Sequence, residues 1–308
     1  MTDTARGIAE AGPRRHPTNV VLLAVVAWVS GVSAAPPPVL VVPADGAFAG
    51  SVNGSPVRVL MTADGLSYPV LNPDVAGRLS LKSSMFTVEA RVGAVTIPGR
   101  TGVVTLGIGR SVEKRRALWF ERPSVGNADV ALGPESVPHT VVTFLMRPEV
   151  SGERRIGLPM TRKGGRLGTI VQVGQASVFV QWNLQRVDSL ATAAAANDLA
   201  ATNGAKLEGA PRTEIIRFGV ARPVRSLRLA APLVIGPVRV AAMNARISDY
   251  GNAGGIPDAD ADPNEVVVYG KRKDRSEHVL TIGRGDLSRC SSISFDKAAK
   301  RINLTCAG

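Results

Sequence analysis

The chain has 308 residues, of which 44% are hydrophobic, and a formal net charge of +12. This length and this hydrophobic content exclude an intrinsically disordered protein and suit one large domain or two ordinary ones. The positive charge favours anionic partners, but only 4% of the residues are aromatic, and the basic clusters at 113–116 and 271–273 contain none of them. The chain therefore offers no surface on which single-stranded nucleic acid would stack, and we expect no nucleic acid partner.

The first 34 residues have the pattern of a secretory signal peptide. Arg14 and Arg15 precede an apolar run over 20–29, and the small residues at 32–34 suit a cleavage site. The run is shorter than the ~20 residues that a membrane-spanning helix needs, so we expect membrane contact only if the segment stays uncleaved. We therefore predict an exported protein, periplasmic or secreted. Removal of 1–34, which contains three arginines and two acidic residues, leaves a net charge of +11.

A proline-rich linker over 35–45 precedes the first predicted lobe, residues 46–150. One short helix is predicted there over 72–79, because Asn72 is a favourable cap and Pro73 suits the first helical position. Short segments rich in β-branched residues and bounded by glycine and proline are typical of strands. The strands predicted for this lobe are 86–92, 101–106, 117–120 and 140–144.

The second predicted lobe spans residues 165–308 and is also mostly β. A helix is predicted over 189–203, an alanine-rich stretch that stops at Gly204, which is a common C-terminal signal. Residues 251–277 change from acidic to basic around a short β-like run, and we interpret them as a flexible insertion. The strands predicted for this lobe are 169–173, 177–182, 224–229, 238–243 and 302–306.

A pattern in the first half of the sequence recurs in the second half. A strand, a turn and Ser-Tyr-x-Val-Leu from Ser67 lead to Ala-Asp-x-x-Leu-Gly from Ala128 and a final strand, and segments from Val173 and His278 repeat this order more faintly. The pattern resembles the retropepsin-like and pepsin-like aspartic peptidases, in a tandem, two-lobed bacterial form. The resemblance implies an all-β fold of two acid-protease-type β-barrel lobes, related by an internal repeat, with one short helix in each lobe.

The catalytic motif of that family is degenerate in both halves. Matching Gly65 to the glycine of the family motif places Ala63 at the catalytic aspartate, and alignment of the two halves places Asn183 at the equivalent position. Shifted alignments place Asp64 there in the first half and Gln185 in the second. The family mechanism needs two close carboxylates that share one proton. We therefore expect that the protein has no peptidase activity.

Three functions are compatible with these observations, and we favour the first. It is an exported, catalytically inactive aspartic-peptidase-like protein that binds a peptide or an envelope component in a cleft between the lobes, with Ser67, Tyr68 and Trp182 as cleft residues. The second is an active, atypical aspartic endopeptidase that uses Asp64 with a second-lobe acid such as Asp188, whose carboxyl groups must then lie within hydrogen-bonding range. The third is a basic module that binds an anionic envelope polymer and loses affinity as salt is added.

Cys290 and Cys306 are the only cysteines, and both lie near the C-terminus. In an oxidising compartment such a pair usually forms a disulfide, which we predict here; two buried free thiols are the alternative. Two cysteines are too few for a zinc site. The alternating Asp258, Asp260 and Asp262 lack the glycine and the closing glutamate of a calcium loop, and no phosphate-binding glycine motif is present. We therefore expect no metal and no nucleotide cofactor.

Overall fold

The computed structural model describes residues 39–260 and 276–308. The predicted signal segment 1–34, the start of the predicted linker and residues 261–275 of the predicted insertion lie outside the described residues. Within the described part, the chain forms twenty strands and two α-helices. The prediction of an all-β protein with short helices is confirmed.

The first half of the chain contains nine strands and one short helix. Its first hairpin turns at Asn53 and Gly54, whose φ angles of 51° and 81° suit a two-residue hairpin turn. The helix begins at Pro73, the residue predicted for its first position. The elements are β1 (Val39–Val42), β2 (Ala47–Val52), β3 (Ser55–Met61), β4 (Val70–Leu71), α1 (Pro73–Arg78), β5 (Thr87–Val92), β6 (Val95–Ile108), β7 (Ser111–Phe120), β8 (Val130–Leu132) and β9 (Val141–Leu145).

The second half contains eleven strands and a longer helix. The helix begins at Ala193 rather than at Ser189, because residues 190–191 form a strand and the Thr192 side chain accepts a hydrogen bond from a backbone N–H of the first turn. It ends at Gly204, which has the left-handed conformation that this position favours. The elements are β10 (Arg154–Pro159), β11 (Thr161–Lys163), β12 (Arg166–Val173), β13 (Ala176–Asn183), β14 (Leu190–Ala191), α2 (Ala193–Asn203), β15 (Lys206–Arg217), β16 (Val220–Ile235), β17 (Val238–Arg246), β18 (Val279–Gly283), β19 (Cys290–Asp296) and β20 (Arg301–Cys306).

The first sheet closes into a barrel. Its strands are hydrogen-bonded in the order β2–β3–β8–β4–β7–β6–β5, and β2 also pairs with β6 between Gly50↔Ile108 and Val52↔Leu106. Six strands therefore form a closed ring, and β5 pairs with β6 outside it. The pairs β3/β8 and β4/β7 are parallel, whereas the other neighbours are antiparallel.

The second sheet has eight strands in the order β11–β12–β13–β18–β14–β17–β16–β15. Apart from the edge strand β11, this order matches that of the first sheet, strand by strand. The parallel pairs also match, since β13/β18 and β14/β17 are parallel and β14/β18 is antiparallel. In both sheets an α-helix follows the two-residue strand, α1 after β4 and α2 after β14.

A third sheet combines strands from the two halves of the chain in the order β1–β9–β19–β20–β10. Strand β9 pairs with β19 through Val142↔Phe295, and β10 pairs with β20 through Ile156↔Leu304. Positions that lie more than 140 residues apart in the sequence are therefore hydrogen-bonded neighbours. This sheet ties the N-terminal half to the C-terminal end of the chain.

The main hydrophobic core includes residues from all three sheets. Trp182 is fully buried there and packs edge-on against Phe295, with ring centroids 6.2 Å apart; Phe144 packs against the same ring. Its place on β13 therefore directs Trp182 into the core. The prediction that Trp182 lines the cleft is wrong.

The predicted disulfide between Cys290 and Cys306 is confirmed, and it joins β19 to β20 at a pair of facing positions. The two cysteines are 16 residues apart in sequence. In the chain-entropy model, closing a loop of this length stabilises the fold by about 3 kcal/mol.

We expect the Cys290→Ala/Cys306→Ala double variant to lose that amount of unfolding free energy in urea denaturation. A reductant should destabilise the wild-type protein and leave the double variant unchanged; a wild-type protein insensitive to reduction would contradict this.

His139 is buried just before β9, and its Nδ1 has no hydrogen-bond partner among the described residues. Burial lowers the pKa of His139, Lys297 lowers it further, and Glu113 opposes the shift. Protonation of His139 therefore favours the unfolded state. The unfolding free energy is highest above the unfolded-state pKa of about 6.5 and decreases as the pH falls below that value.

In urea denaturation, we expect the unfolding free energy of the wild-type protein to fall more steeply on acidification than that of His139→Gln. Parallel pH profiles would show that burial of this imidazole has no such effect.

Candidate functional site

Asp64 and Asn183 meet where the first and second sheets approach each other. Asp64 follows β3, and Asn183 ends β13. The Asn183 Nδ2 donates a hydrogen bond to the Asp64 Oδ2 at 3.0 Å. A residue of one half of the chain thus contacts a residue of the other at the position where the sequence analysis expects the catalytic motifs.

The orientation of the Asn183 amide is fixed by its own turn. Its Oδ1 accepts hydrogen bonds from the backbone N–H groups of Gln185 at 3.0 Å and Arg186 at 3.1 Å. A flipped amide would direct its NH₂ group at these two donors, so the oxygen must face the turn. The Nδ2 is therefore left to face Asp64.

Arg217, the last residue of β15, binds the same carboxylate. Its Nη2 lies 2.9 Å from the Asp64 Oδ2 and 3.3 Å from the Asp64 backbone oxygen. The Asp64 side chain is 6% exposed and that of Arg217 is 22% exposed, so the ion pair is largely removed from water. The two donors, an amide and a guanidinium, both stabilise the ionised carboxylate.

The tip of the β15–β16 hairpin holds Arg217 in place. Phe218 and Gly219 form the turn, with φ angles of 52° and 65°. A bulky residue rarely adopts a positive φ, but Phe218 is buried and its ring lies 4.8 Å from that of Phe120 in the first sheet. Val70 and Leu118 belong to the same apolar cluster. Apolar packing on the first sheet thus offsets the strained turn and keeps the hairpin over Asp64.

A close contact between two glycines positions the loop that carries Asp64. A Cβ atom on Gly65 would lie 2.5 Å from the Cα of Gly133, and a Cβ on Gly133 would lie 2.4 Å from the Gly65 carbonyl. No side chain fits at either position. The Thr62 N–H also donates to the Leu132 carbonyl at 2.8 Å. The residues at the end of β8 therefore fix the backbone on both sides of Ala63.

The strand registers relate the two loops to each other. Met61 pairs with Leu132 in the parallel ladder of β3 and β8, and Trp182 pairs with Ile282 in the parallel ladder of β13 and β18. Leu132 and Ile282 are each followed by glycine. Matching the two glycines relates Met61 to Trp182, an offset of 121 residues rather than the 120 used in the sequence alignment.

This register corrects the predicted equivalence of Ala63 and Asn183. The counterpart of Ala63 is Leu184, and both are buried apolar residues of the core. The counterpart of Asp64 is Gln185. Asn183 meets Asp64 across the interface, whereas Ala63 is 0% exposed and lines neither of the two cavities beside Asp64.

The other predicted site residues lie apart from this contact. Asp188 is bound by Arg212 and Asn244, and the described structure contains no hydrogen bond between Asp188 and Asp64. Ser67 and Tyr68 belong to the lining of neither cavity beside Asp64.

Two cavities adjoin the Asp64–Asn183 contact. The larger has a volume of about 520 Å³ and lies between the first sheet and the hairpin tip. Its apolar wall consists of Leu60, Leu66, Val70, Ala131, Ile216 and Phe218, and its polar wall includes Asp45, Arg58, Ser124, Asn127 and Gln185. The smaller cavity, of about 100 Å³, lies beside the same contact, and five of its sixteen lining residues are arginines.

Arg217 is the residue of this contact that the sequence did not predict. Thr213, Ile215 and Ile216 precede Phe218-Gly219 and Val220 follows it, and β-branched residues on both sides of a glycine are a signal that could have predicted a hairpin. Nothing in the sequence indicates that the hairpin tip reaches a residue 153 positions earlier. The contact depends on how the two sheets pack.

Comparisons with models of known protein families and with curated proteins give no match. In the described ranges, no group of three or more His, Cys, Asp or Glu residues is arranged to hold a metal ion. Neither helix of residues 39–260 and 276–308 is long and apolar enough to cross a bilayer. The geometry of the site is therefore the main evidence on function.

Breaking the Asp64–Arg217 pair should destabilise the fold. Arg217→Met would leave the buried Asp64 carboxylate with the Asn183 amide as its remaining donor, and we expect a loss of about 3 kcal/mol in unfolding free energy. The matched control is Arg212→Met, which removes an exposed pair with Asp188 and should cost less than about 1 kcal/mol. Urea denaturation of both variants measures this; equal losses would mean that burial does not strengthen the Asp64 pair.

Proposed function

We propose that this protein is a non-catalytic, aspartic-peptidase-like binding protein that holds a peptide or an envelope component in the cleft between its two lobes. The observation that carries the proposal is the contact at Asp64. A single carboxylate meets an amide from the other half of the chain and is neutralised by Arg217.

The chemistry of that contact argues against peptide hydrolysis. Aspartic peptidases use two carboxylates that share one proton, so that one activates water while the other polarises the substrate carbonyl. Here the carboxylate of Asp64 faces the amide of Asn183, which supplies no titratable group. The strand register gives the same result. It matches Ala63 with Leu184 and Asp64 with Gln185, so at neither position do both halves of the chain supply an acid.

The matching strand orders of the first two sheets support the resemblance to aspartic peptidases. Each sheet contains two parallel pairs, and an α-helix follows the two-residue strand in each. In each half a glycine also lies against a loop, the loop after β3 in the first half and the loop after β13 in the second. In the second sheet, Gly283 lies against Val187 and Asp188, as Gly133 lies against Gly65 in the first. Two lobes of one architecture are the expected product of an internal repeat.

The larger cavity has the character of a ligand site. Its volume of about 520 Å³ falls within the range of about 300–1,000 Å³ that is common for ligand pockets. An apolar wall with a few convergent polar groups suits one or two side chains of a peptide, which the apolar wall would bury and the polar groups would orient.

The alternatives have less support. A peptidase using Asp64 with Asp188 requires a contact between these carboxyl groups, and each is bound elsewhere. Export remains a prediction from residues 1–34, and a basic module for an anionic polymer is favoured by the net charge alone.

The test combines cleavage and binding on one peptide library. Incubated from acidic to neutral pH and analysed by mass spectrometry, the purified protein should leave all peptides intact and should retain a subset of them on affinity capture. Ala131→Phe, which fills the larger cavity, should weaken binding of the captured peptides at least about tenfold. Ala298→Phe, at an exposed position, is the matched control and should bind normally.

Two outcomes would overturn the proposal. Cleavage that is lost in Asp64→Asn would make the protein a peptidase. Capture of no peptide, or binding that is equal in Ala131→Phe and wild type, would mean that the larger cavity is not a peptide site.

A further inference from the structure

The smaller cavity beside Asp64 contains an excess of arginines. Five arginines and two carboxylates line its volume of about 100 Å³. The carboxylates are those of Asp64 and Glu277. The arginines are Arg91, Arg166, Arg186, Arg217 and Arg246.

Most of these arginines have acidic partners. Arg217 pairs with Asp64, Arg186 with Glu214, and Arg91 with Glu89 at the surface. Asp249 pairs with both Arg246 and Arg222. The five arginines of the cavity and Arg222 together make six positive charges. The carboxylates near them number five, so one positive charge is uncompensated among the described residues; these carboxylates are Asp64, Glu89, Glu214, Asp249 and Glu277.

Within residues 39–260 and 276–308, the side chain of Arg166 forms no hydrogen bond or ion pair. Its Nε is buried. Burial and the nearby Arg217 lower the pKa of Arg166 to about 9, although Asp64 and Glu277 oppose the shift. A buried guanidinium N–H without an acceptor is costly. Such a group indicates a missing acceptor at this position.

Two further donors of the same cavity are also unused. The buried Nε atoms of Arg186 and Arg246 have no hydrogen-bond partner within the described ranges. Arg246 is 4% exposed, and the Tyr250 ring lies 4.2 Å from its guanidinium carbon and fixes the plane of the group. The ion pairs of Arg186 and Arg246 use their Nη2 atoms, so the Nε atoms stay available.

We propose that this cavity binds a small oxyanion, the carboxylate or phosphate group of a ligand, between Arg166, Arg186 and Arg246. A guanidinium presents its N–H donors in a planar fork that matches the spacing of carboxylate or phosphate oxygens. The volume suits such a group rather than a whole ligand. Val92, Leu190 and Val279 also line the cavity, and their apolar surroundings strengthen a charged hydrogen bond. The inference is independent of what the larger cavity holds.

The experiment measures thermal unfolding of the full chain in sodium acetate, phosphate and sulfate, against sodium chloride at equal ionic strength. An oxyanion that binds the folded state raises Tm with concentration, and the dependence gives a Kd. We expect at least one oxyanion to raise Tm more than chloride does, and comparison of acetate with phosphate identifies the preferred group. Because the readout uses no peptide, its failure is distinguishable from failure of the proposed function.

Variants assign the effect to the cavity. Arg166→Met should keep or raise Tm in chloride, because it removes an unpaired buried charge, and should weaken oxyanion binding at least about tenfold. Arg166→Lys keeps the charge but not the planar fork and should also weaken binding. Arg239→Met removes an exposed arginine outside the cavity and should respond like wild type. Equal responses to oxyanions and chloride, or an undiminished response in both Arg166 variants, would overturn the proposal.

Discussion

The packing of the two halves of this protein depends on the buried Asp64 carboxylate. Its burial is offset by hydrogen bonds from Asn183 and Arg217, and both donors come from the second half of the chain. An isolated first barrel would expose this carboxylate to water and lose both donors. The same contact therefore joins the two halves, positions the β15–β16 hairpin and separates the two cavities.

The contact of an acid, an amide and a guanidinium also limits the chemistry that this site can perform. A shared proton requires two acidic groups that compete for it, whereas the two side chains that bind Asp64 are an amide and a guanidinium, both acting as hydrogen-bond donors. The hairpin that carries Arg217 is anchored by Phe218 on the first sheet. The Asp64 carboxylate is therefore held in place by donors on elements that are themselves fixed by packing, which fits the proposed binding role.

Much of the fold could be predicted from the sequence, because its signals are local. Each of the nine predicted strands overlaps an observed strand, and Pro73 and Gly204 correctly mark the start of one helix and the end of the other. Strand β15 has no counterpart among the predictions, because residues 206–217 contain many charged residues and few buried ones. Such a strand is stabilised by its hairpin partner, which a local pattern does not reveal.

The candidate site was harder to predict, because it depends on packing and on register. Asp64 and Asn183 were both identified, yet the alignment was one residue away from the register of the ladders and paired Asn183 with Ala63. Trp182 illustrates the same difficulty, since the position next to a cleft residue on a strand faces the opposite side. The five arginines of the smaller cavity range from Arg91 to Arg246, and no spacing in the sequence connects them.

The third sheet determines the order in which the native contacts can form. Strands β9 and β10 are close in sequence, but the sheet is complete only when β19 and β20 are in place, because these two strands lie between them in the strand order. Contacts of such long sequence separation slow folding and delay its completion. Until β19 pairs with β9, both β9 and β10 have an open hydrogen-bonding edge on this sheet, so closure of the β19–β20 hairpin between them is a late step in folding.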